Sequence, residues 1–340
     1  MGLPFILTVT GALVLLAISF STPLLNHLGT QLVQRELDRL KSAAGFVERQ
    51  VRLPSGTTAW YLDRLPDGKS HEPPLVIVPG ATVDMNLMAA RVSGLARALP
   101  DRRILILELP YHGRQLDPTR TFASPRPSIA SMTAYVSEVT TALELHTPFD
   151  LLGYSLGGGI AGHFAAAHSK RVDRLLLLAP FFSELATDRF NEKVDAQDWR
   201  EVHGWEGFNE MKIFFQEWLG LRPEDAPPKI VLRGIHAIRT ATYPTGYWTD
   251  LLTAIDSTST ASRTFLADHR ATLQAFDRPM LVLAAEEDAI CDAKKLEQLA
   301  TIYGSGTCTV RNIPCGHAFG PNGARLFAVA HEELRSFFAR

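Results

Sequence analysis

The sequence predicts a doubly wound α/β domain: a mostly parallel sheet covered by helices on both faces and interrupted by a helical insertion. Three observations carry that prediction. With 340 residues, 46% hydrophobic and 21% charged, the chain is long and apolar enough to bury one extended core. Short, wholly apolar segments such as PLVIVPG (74–80) and FDLLGY (149–154) alternate with helical stretches, which is the rhythm of parallel strands joined by crossover helices. Between residues 183 and 276 that rhythm stops, and four of the five tryptophans gather there.

No Asp, Glu, Lys or Arg precedes Arg35, and residues 3–25 read LPFILTVTGALVLLAISFSTPLL. At 1.5 Å per residue the run reaches about 35 Å, enough for a hydrocarbon core roughly 30 Å thick. A membrane helix is therefore expected within residues 1–25. It reads as a signal-anchor, because a cleaved signal normally carries a basic residue before a shorter apolar core. The small residues at 17–21 keep cleavage, and a secreted or periplasmic body, as the alternative; a buried N-terminal helix is the third. Arg35, Arg39, Lys41 and Arg49 follow, and basic flanks lean towards a cytoplasmic catalytic body. Residues 26–45 read as a linker in which 31–44 forms an amphipathic helix, with Leu32, Val33, Leu37 and Leu40 on one side. Such a helix lies on a bilayer or packs as a stalk.

The body begins near residue 46. FVERQVRL, the turn Pro54-Ser55-Gly56 and TTAWYLDRL predict a hairpin. The strand at 74–80 follows, then a helix over 87–99 and the strand RILILEL (103–109). A proline-bearing loop near 117–127 leads to a helix over 128–146. Next come FDLLGY, a helix over 157–168 and the strand VDRLLLLAP (172–180). RPMLVLAAEED (278–288) and GTCTVRNIP (306–314) are the last strands, each with a helix after it. Residues 46–182 and 277–340 thus form the α/β core, and 183–276 a helical cap. The cap holds Trp199, Trp205, Trp218 and Trp248 with Phe190, Phe208, Phe214, Phe215, Tyr243, Tyr247 and Phe265. Most of these should form the cap's own core, and the remainder an acyl pocket.

Gly153-Tyr154-Ser155-Leu156-Gly157 lies where a predicted strand meets a predicted helix, the context of a nucleophile elbow. Such a turn strains the central residue, and Gly153 and Gly157 clear the space two residues to either side. Ser155 is the candidate nucleophile, with the positive end of the following helix beneath it. A serine hydroxyl needs a base, itself oriented by a carboxylate. Asp288 follows the strand MLVLAA, and His317 follows the next strand, in the order Ser, Asp, His that this topology uses. Glu184 is the alternative acid; Glu286 and Glu287 read as solvated, and Asp292 as a helix cap. Among the histidines, His163, His168 and His331 read as packing groups, and His112 as a residue bordering the pocket. An oxyanion would be met by the backbone N–H of Leu156 and, in the turn Pro79-Gly80-Ala81-Thr82, that of Ala81.

On these residues the body resembles the α/β-hydrolase fold superfamily. The GYSLGG elbow, the EED ending at Asp288 and Cys315-Gly316-His317 are most similar to membrane-anchored monoacylglycerol lipases and related bacterial lipases. The resemblance implies a sheet of about eight strands and serine hydrolysis of acylglycerols or other carboxylic esters. It also implies an acyl pocket under the cap and no cofactor. Pro79 stands where the family usually has His, Glu108 where it has Asp, and Tyr111-His112-Gly113 where it has Gly-His-Gly. Acyl transfer, perhydrolysis or C–C hydrolysis on the same serine is the second reading, and a catalytically silent membrane scaffold the third.

Composition narrows the partners. With 34 basic and 36 acidic side chains the net charge is −2, so no strong field draws nucleic acid. Cys291, Cys308 and Cys315 form no C-x-x-C pair, so neither a zinc site nor a disulfide framework is indicated, though a Cys291–Cys315 bridge stays open. Expected partners are a small ester or lipid substrate and, through the N-terminal helix, a bilayer.

Overall fold

The computed structural model describes residues 3–340 apart from 67, 69–71, 117–126, 197–206, 224–225, 245, 249, 252, 254–264, 269, 304–306, 318–327 and 340. The expected hairpin is β1 (Val47–Arg52) with β2 (Thr58–Arg64), paired antiparallel. Then come β3 (Leu75–Val78), β4 (Ile104–Leu107), β5 (Phe149–Tyr154), β6 (Val172–Leu178), β7 (Met280–Ala285) and β8 (Cys308–Ile313). The sheet order is β1-β2-β4-β3-β5-β6-β7-β8. β2 runs antiparallel to β4, and β3 to β8 are parallel to their neighbours.

Every residue of β3, β4, β5 and β7 is buried, so these strands read as unbroken apolar runs instead of alternating ones. Their alternate side chains feed two cores. Val76, Val78, Leu105, Leu107 and Leu151 pack with Met132 and Val136 of α3 (Ile129–Ala142) and Ile160 and Phe164 of α4 (Leu156–Ala167). Leu75, Ile77, Ile104, Ile106 and Leu152 pack with Met88 and Val92 of α2 (Met85–Ala98) and with Ala330 and Leu334 of the C-terminal helix Ala328–Phe338. Two helix starts are fixed by side-chain caps. Asp84 accepts from Leu87 N at 2.8 Å, and Ser128 and Ser131 cap α3 reciprocally.

The N-terminal segment differs from expectation. A membrane helix and a separate linker helix were predicted, whereas one helix, α1, runs Leu3–Ala43 with Pro23 inside it. The predicted boundary fell between residues 25 and 26, where the helix runs on unbroken, and Gly29 just after it is a packing residue. A Cβ there would strike Ile230 O and lie 2.7 Å from Gly234 N. Gly234 belongs to the cap helix Lys229–Thr242, so the two helices cross backbone to backbone. Lys41 Nζ donates to Asn86 Oδ1 at 3.1 Å, tying the far end of α1 to α2. The side chains of residues 3–21, most of the predicted span, lie outside the described residues. Among the described residues no helix is long and apolar enough to cross a membrane.

The described part of the cap is helical at Asp188–Asp195, Phe208–Ile213 with a π turn to Trp218, and Lys229–Thr242. Phe190, Phe214, Trp218, Tyr247 and Trp248 are buried there, while Trp199 and Trp205 lie outside the described residues. All three cysteines are free, so Cys291 and Cys315 are not bridged.

Candidate active site

The turn from β5 into α4 holds Ser155 at φ +54° and ψ −122°, a region non-glycine residues rarely enter. Four backbone hydrogen bonds over-determine it. Ser155 N donates to Leu178 O at 2.9 Å, and Ser155 O accepts from Gly158 N, Gly159 N and Phe181 N at 2.8, 3.2 and 2.9 Å. A Cβ on Gly153 would run into Gly157 O, and one on Gly157 into Val78 O and Pro79 O. The strain therefore persists because glycine alone fits on either side.

The structure brings Ser155, His317 and Asp288 together across 162 and 29 residues of sequence. His317 Nε2 is 2.8 Å from Ser155 Oγ, and His317 Nδ1 is 2.6 Å from Asp288 Oδ2. The other carboxylate oxygen, Oδ1, accepts from Ile290 N at 2.7 Å and Cys291 N at 2.9 Å. Asp288 is therefore oriented before it meets the imidazole. His317 is 3% exposed, and Tyr154 donates its hydroxyl to His317 O at 3.0 Å. The loop after β3 presses on the serine: a Cβ on Gly80 would sit 2.9 Å from Ser155 Cβ. Ala81 is the next residue in that loop, and Leu156 opens α4 directly after Ser155.

The other acids are occupied elsewhere. Glu184 Oε1 accepts from Leu266 N at 2.9 Å, Asp292 caps the next short helix, and Glu286 and Glu287 are exposed. His168 packs on Phe164 at 4.8 Å, and His331 Nε2 lies 3.3 Å from Arg91 O. Sequence reasoning missed Tyr154 and the two amides that hold Asp288. The amides carried a local signal, since an aspartate two and three residues before its donors makes an Asx-type turn.

A profile of the alpha/beta hydrolase fold matches residues 73–321, most of the chain. The chain belongs to the alpha/beta hydrolase fold family. Among solved structures this hydrolase is similar to a membrane phospholipase A described as a bacterial virulence factor, at 18% identity, with 97% of this chain and 98% of that chain covered and a TM-score of 0.65. It is also similar to an esterase from Exiguobacterium antarcticum, at 18% identity, 86% and 100% coverage and a TM-score of 0.62. An enol-lactonase from Burkholderia xenovorans LB400 follows at 15%, 86% and 100%, and 0.60. At these identities the likeness is one of fold. No curated protein matches the sequence.

Two departures from the hydrolase pattern can be placed. Glu108, fully buried at the end of β4, accepts from Met85 N at 3.1 Å and Arg114 N at 3.4 Å, bracing the loops after β3 and β4. Burial first, and then the charge of Asp84, hold its carboxyl well above the usual range. His112, also fully buried, donates Nδ1–H to Pro110 O at 2.9 Å and meets Trp248 of the cap edge-on at 5.0 Å. Tyr247 donates its hydroxyl to Tyr111 O at 2.8 Å, and Tyr243 Oη accepts from Gly113 N at 3.1 Å. The cap is thereby seated on the β4 loop.

That burial has a pH consequence. It pulls the His112 pKa from 6.5 down to about 4, so between these values the unfolded chain binds a proton that the native state does not. Stability should rise with pH across that window, by up to about 3 kcal/mol from this residue, and be lost as pH falls through it. His112→Phe should flatten the slope in urea unfolding between pH 4 and 6.5. An unchanged slope would remove His112 as its source.

Asp288, Cys291 and His317 also bring metal-ligating atom types within 4.8 Å of one another. Their atoms are spent otherwise. Oδ2 and Nδ1 face each other, Cys291 Sγ donates to Ala179 O at 3.4 Å, and burial pushes the thiol well above its usual range.

Proposed function

We propose that this protein is a serine hydrolase of carboxylic esters, with a lipid-like substrate such as a monoacylglycerol, acting through an acyl-enzyme on Ser155. The observation that carries the reading is the unbroken chain Ser155 Oγ, His317, Asp288 at 2.8 and 2.6 Å. Ser155 Oγ attacks the ester carbonyl while His317 Nε2 takes its proton. Asp288 holds the Nδ1–H tautomer and stabilises the imidazolium. The Leu156 and Ala81 N–H groups meet the oxyanion. His317 then protonates the leaving alcohol, and water repeats the cycle to release the acid.

A substrate drawn from a bilayer is supported by the uncharged run 3–25 and by Leu24, Leu28 and Leu32, exposed from the end of that run onward on one side of α1. The basic residues after the run favour a cytoplasmic body. Removing residues 1–25 should leave kcat on a short soluble ester within about twofold, because the triad draws nothing from them, and should abolish sedimentation with vesicles. Loss of soluble-ester turnover in a folded protein would overturn the anchor reading.

The test of function is hydrolysis rate against acyl length, on p-nitrophenyl esters and matching monoacylglycerols, with Ser155→Ala as the blank. A medium or long optimum with monoacylglycerol turnover supports a lipase. Turnover of short esters alone means a general esterase. Labelling of Ser155 by a fluorophosphonate without ester turnover would move the reaction to acyl transfer, perhydrolysis or C–C hydrolysis.

A further inference from the structure

The cap touches the catalytic loops at a second place, remote from Tyr243 and Tyr247. After Trp218 the cap chain turns through Leu219 into Gly220, which has φ +64°. Glycine takes that left-handed conformation at a helix end without steric cost. A Cβ on Gly220 would lie 2.6 Å from Gly316 Cα and 3.0 Å from Glu287 O. A Cβ on Gly316 would strike Leu219 O and lie 2.6 Å from Gly220 Cα. Two glycines, one from the cap and one directly before His317, therefore meet backbone to backbone. Glu287, directly before Asp288, is on the same contact and also pairs with Arg222.

We propose that Gly220 is a positioning residue for the general base, the cap corner 219–220 acting as the stop against which the His317 loop is seated. This rests on the hydrolase reading above and deepens it. The loop is held at three points. Tyr154 donates to His317 O at 3.0 Å, Glu287 N donates to Cys315 O at 3.0 Å, and Gly220 closes on Gly316. The first two holds lie within the α/β core and the third is the cap's. With no side chain on either partner the seat has no slack, since backbone atoms cannot step aside as a rotamer does. A cap seated here cannot swing as a free lid about the β8 edge without loosening His317. Any opening that admits substrate then takes place elsewhere along its rim.

The test compares Gly220→Ala with Gly316→Ala, which strikes the same contact from the other side without a positive φ to strain. Readouts are kcat and KM on p-nitrophenyl acetate, the rate of fluorophosphonate labelling, the thermal midpoint, and the low-field proton resonance of the His317 Nδ1–H bound to Asp288. A seat of this kind predicts kcat lower by at least about tenfold with KM within about twofold, because reach from base to nucleophile changes while binding does not. Labelling should slow by the same factor, and the resonance should shift or broaden in protein that remains folded. A labelling rate and resonance like wild type in either folded variant would overturn the proposal, and a lower thermal midpoint alone would reduce the contact to cap stability. Wild-type protein that neither labels at Ser155 nor turns over esters would sink the hydrolase reading, while the resonance would still report on the seat.

Discussion

Ser155→Ala should lower kcat on a soluble p-nitrophenyl ester by about 10⁴-fold or more, and His317→Ala by a comparable factor. The expectation follows from geometry. Nε2 stands 2.8 Å from Oγ, so removing either atom removes the same proton transfer. The double variant should accordingly be no slower than the worse single one, because groups that act as a unit are not additive. Residual turnover above water would measure what the rest of the site contributes without these two groups. Rates near wild type in either single variant, measured with a repurified enzyme and an active-site titration, would remove these residues from the chemistry.

The second large effect is on stability, at the opposite end of the same strand. Asp150 lies near the start of β5, five residues before Ser155, and both it and Arg102 are buried, with side chains 0% and 3% exposed. They form a close ion pair, Arg102 Nε donates to Pro73 O at 2.8 Å, and Arg174 lies 3.9 Å from the same carboxylate. Burial raises the Asp150 pKa to about 6 against the pull of Arg102 and Arg174. A buried pair of this kind adds little net stability, but breaking it leaves a stranded charge. Asp150→Ala should therefore cost about 3–5 kcal/mol, read from urea unfolding at pH 7. Asp150→Leu with Arg102→Met should recover much of that loss. Folded Asp150→Ala should keep its kcat, since the pair lies at the start of β5 and the serine just beyond its end. A cost under about 1 kcal/mol would show that water reaches the pair.

What could be read from the sequence was local. The strand, Gly153, Ser155, Gly157 and the helix after it are contiguous, so their patterning and sterics could be seen together. Asp288 and His317 were legible because each lies within four residues of the end of a strand, and strand ends in a parallel sheet share an edge. Tyr154 was not, because its partner lies 163 residues away and a tyrosine in an apolar strand looks like any other core residue. Gly29 carried no signal of its own in the sequence. A glycine that ends a helix and one that lets two helices touch are the same letter, and only the arrival of Gly234 tells them apart. Gly220 and Gly316 were hidden for the same reason. Glycine contacts are defined by the partner's backbone, and periodicity carries no trace of that.

The crossing of Gly29 with Gly234 also sets a timetable. About 200 residues separate the two, and a ribosome adding 5–20 residues per second needs roughly 10–40 s to make the second after the first. For that interval the cap-facing side of α1 has no partner, while the hairpin and β3 to β6 can already assemble behind it. Nascent chains of this protein should thus pass through a stage with a nearly complete sheet and an uncovered N-terminal helix. Whatever shields the cap-facing side of that helix in the cell has its work confined to those seconds.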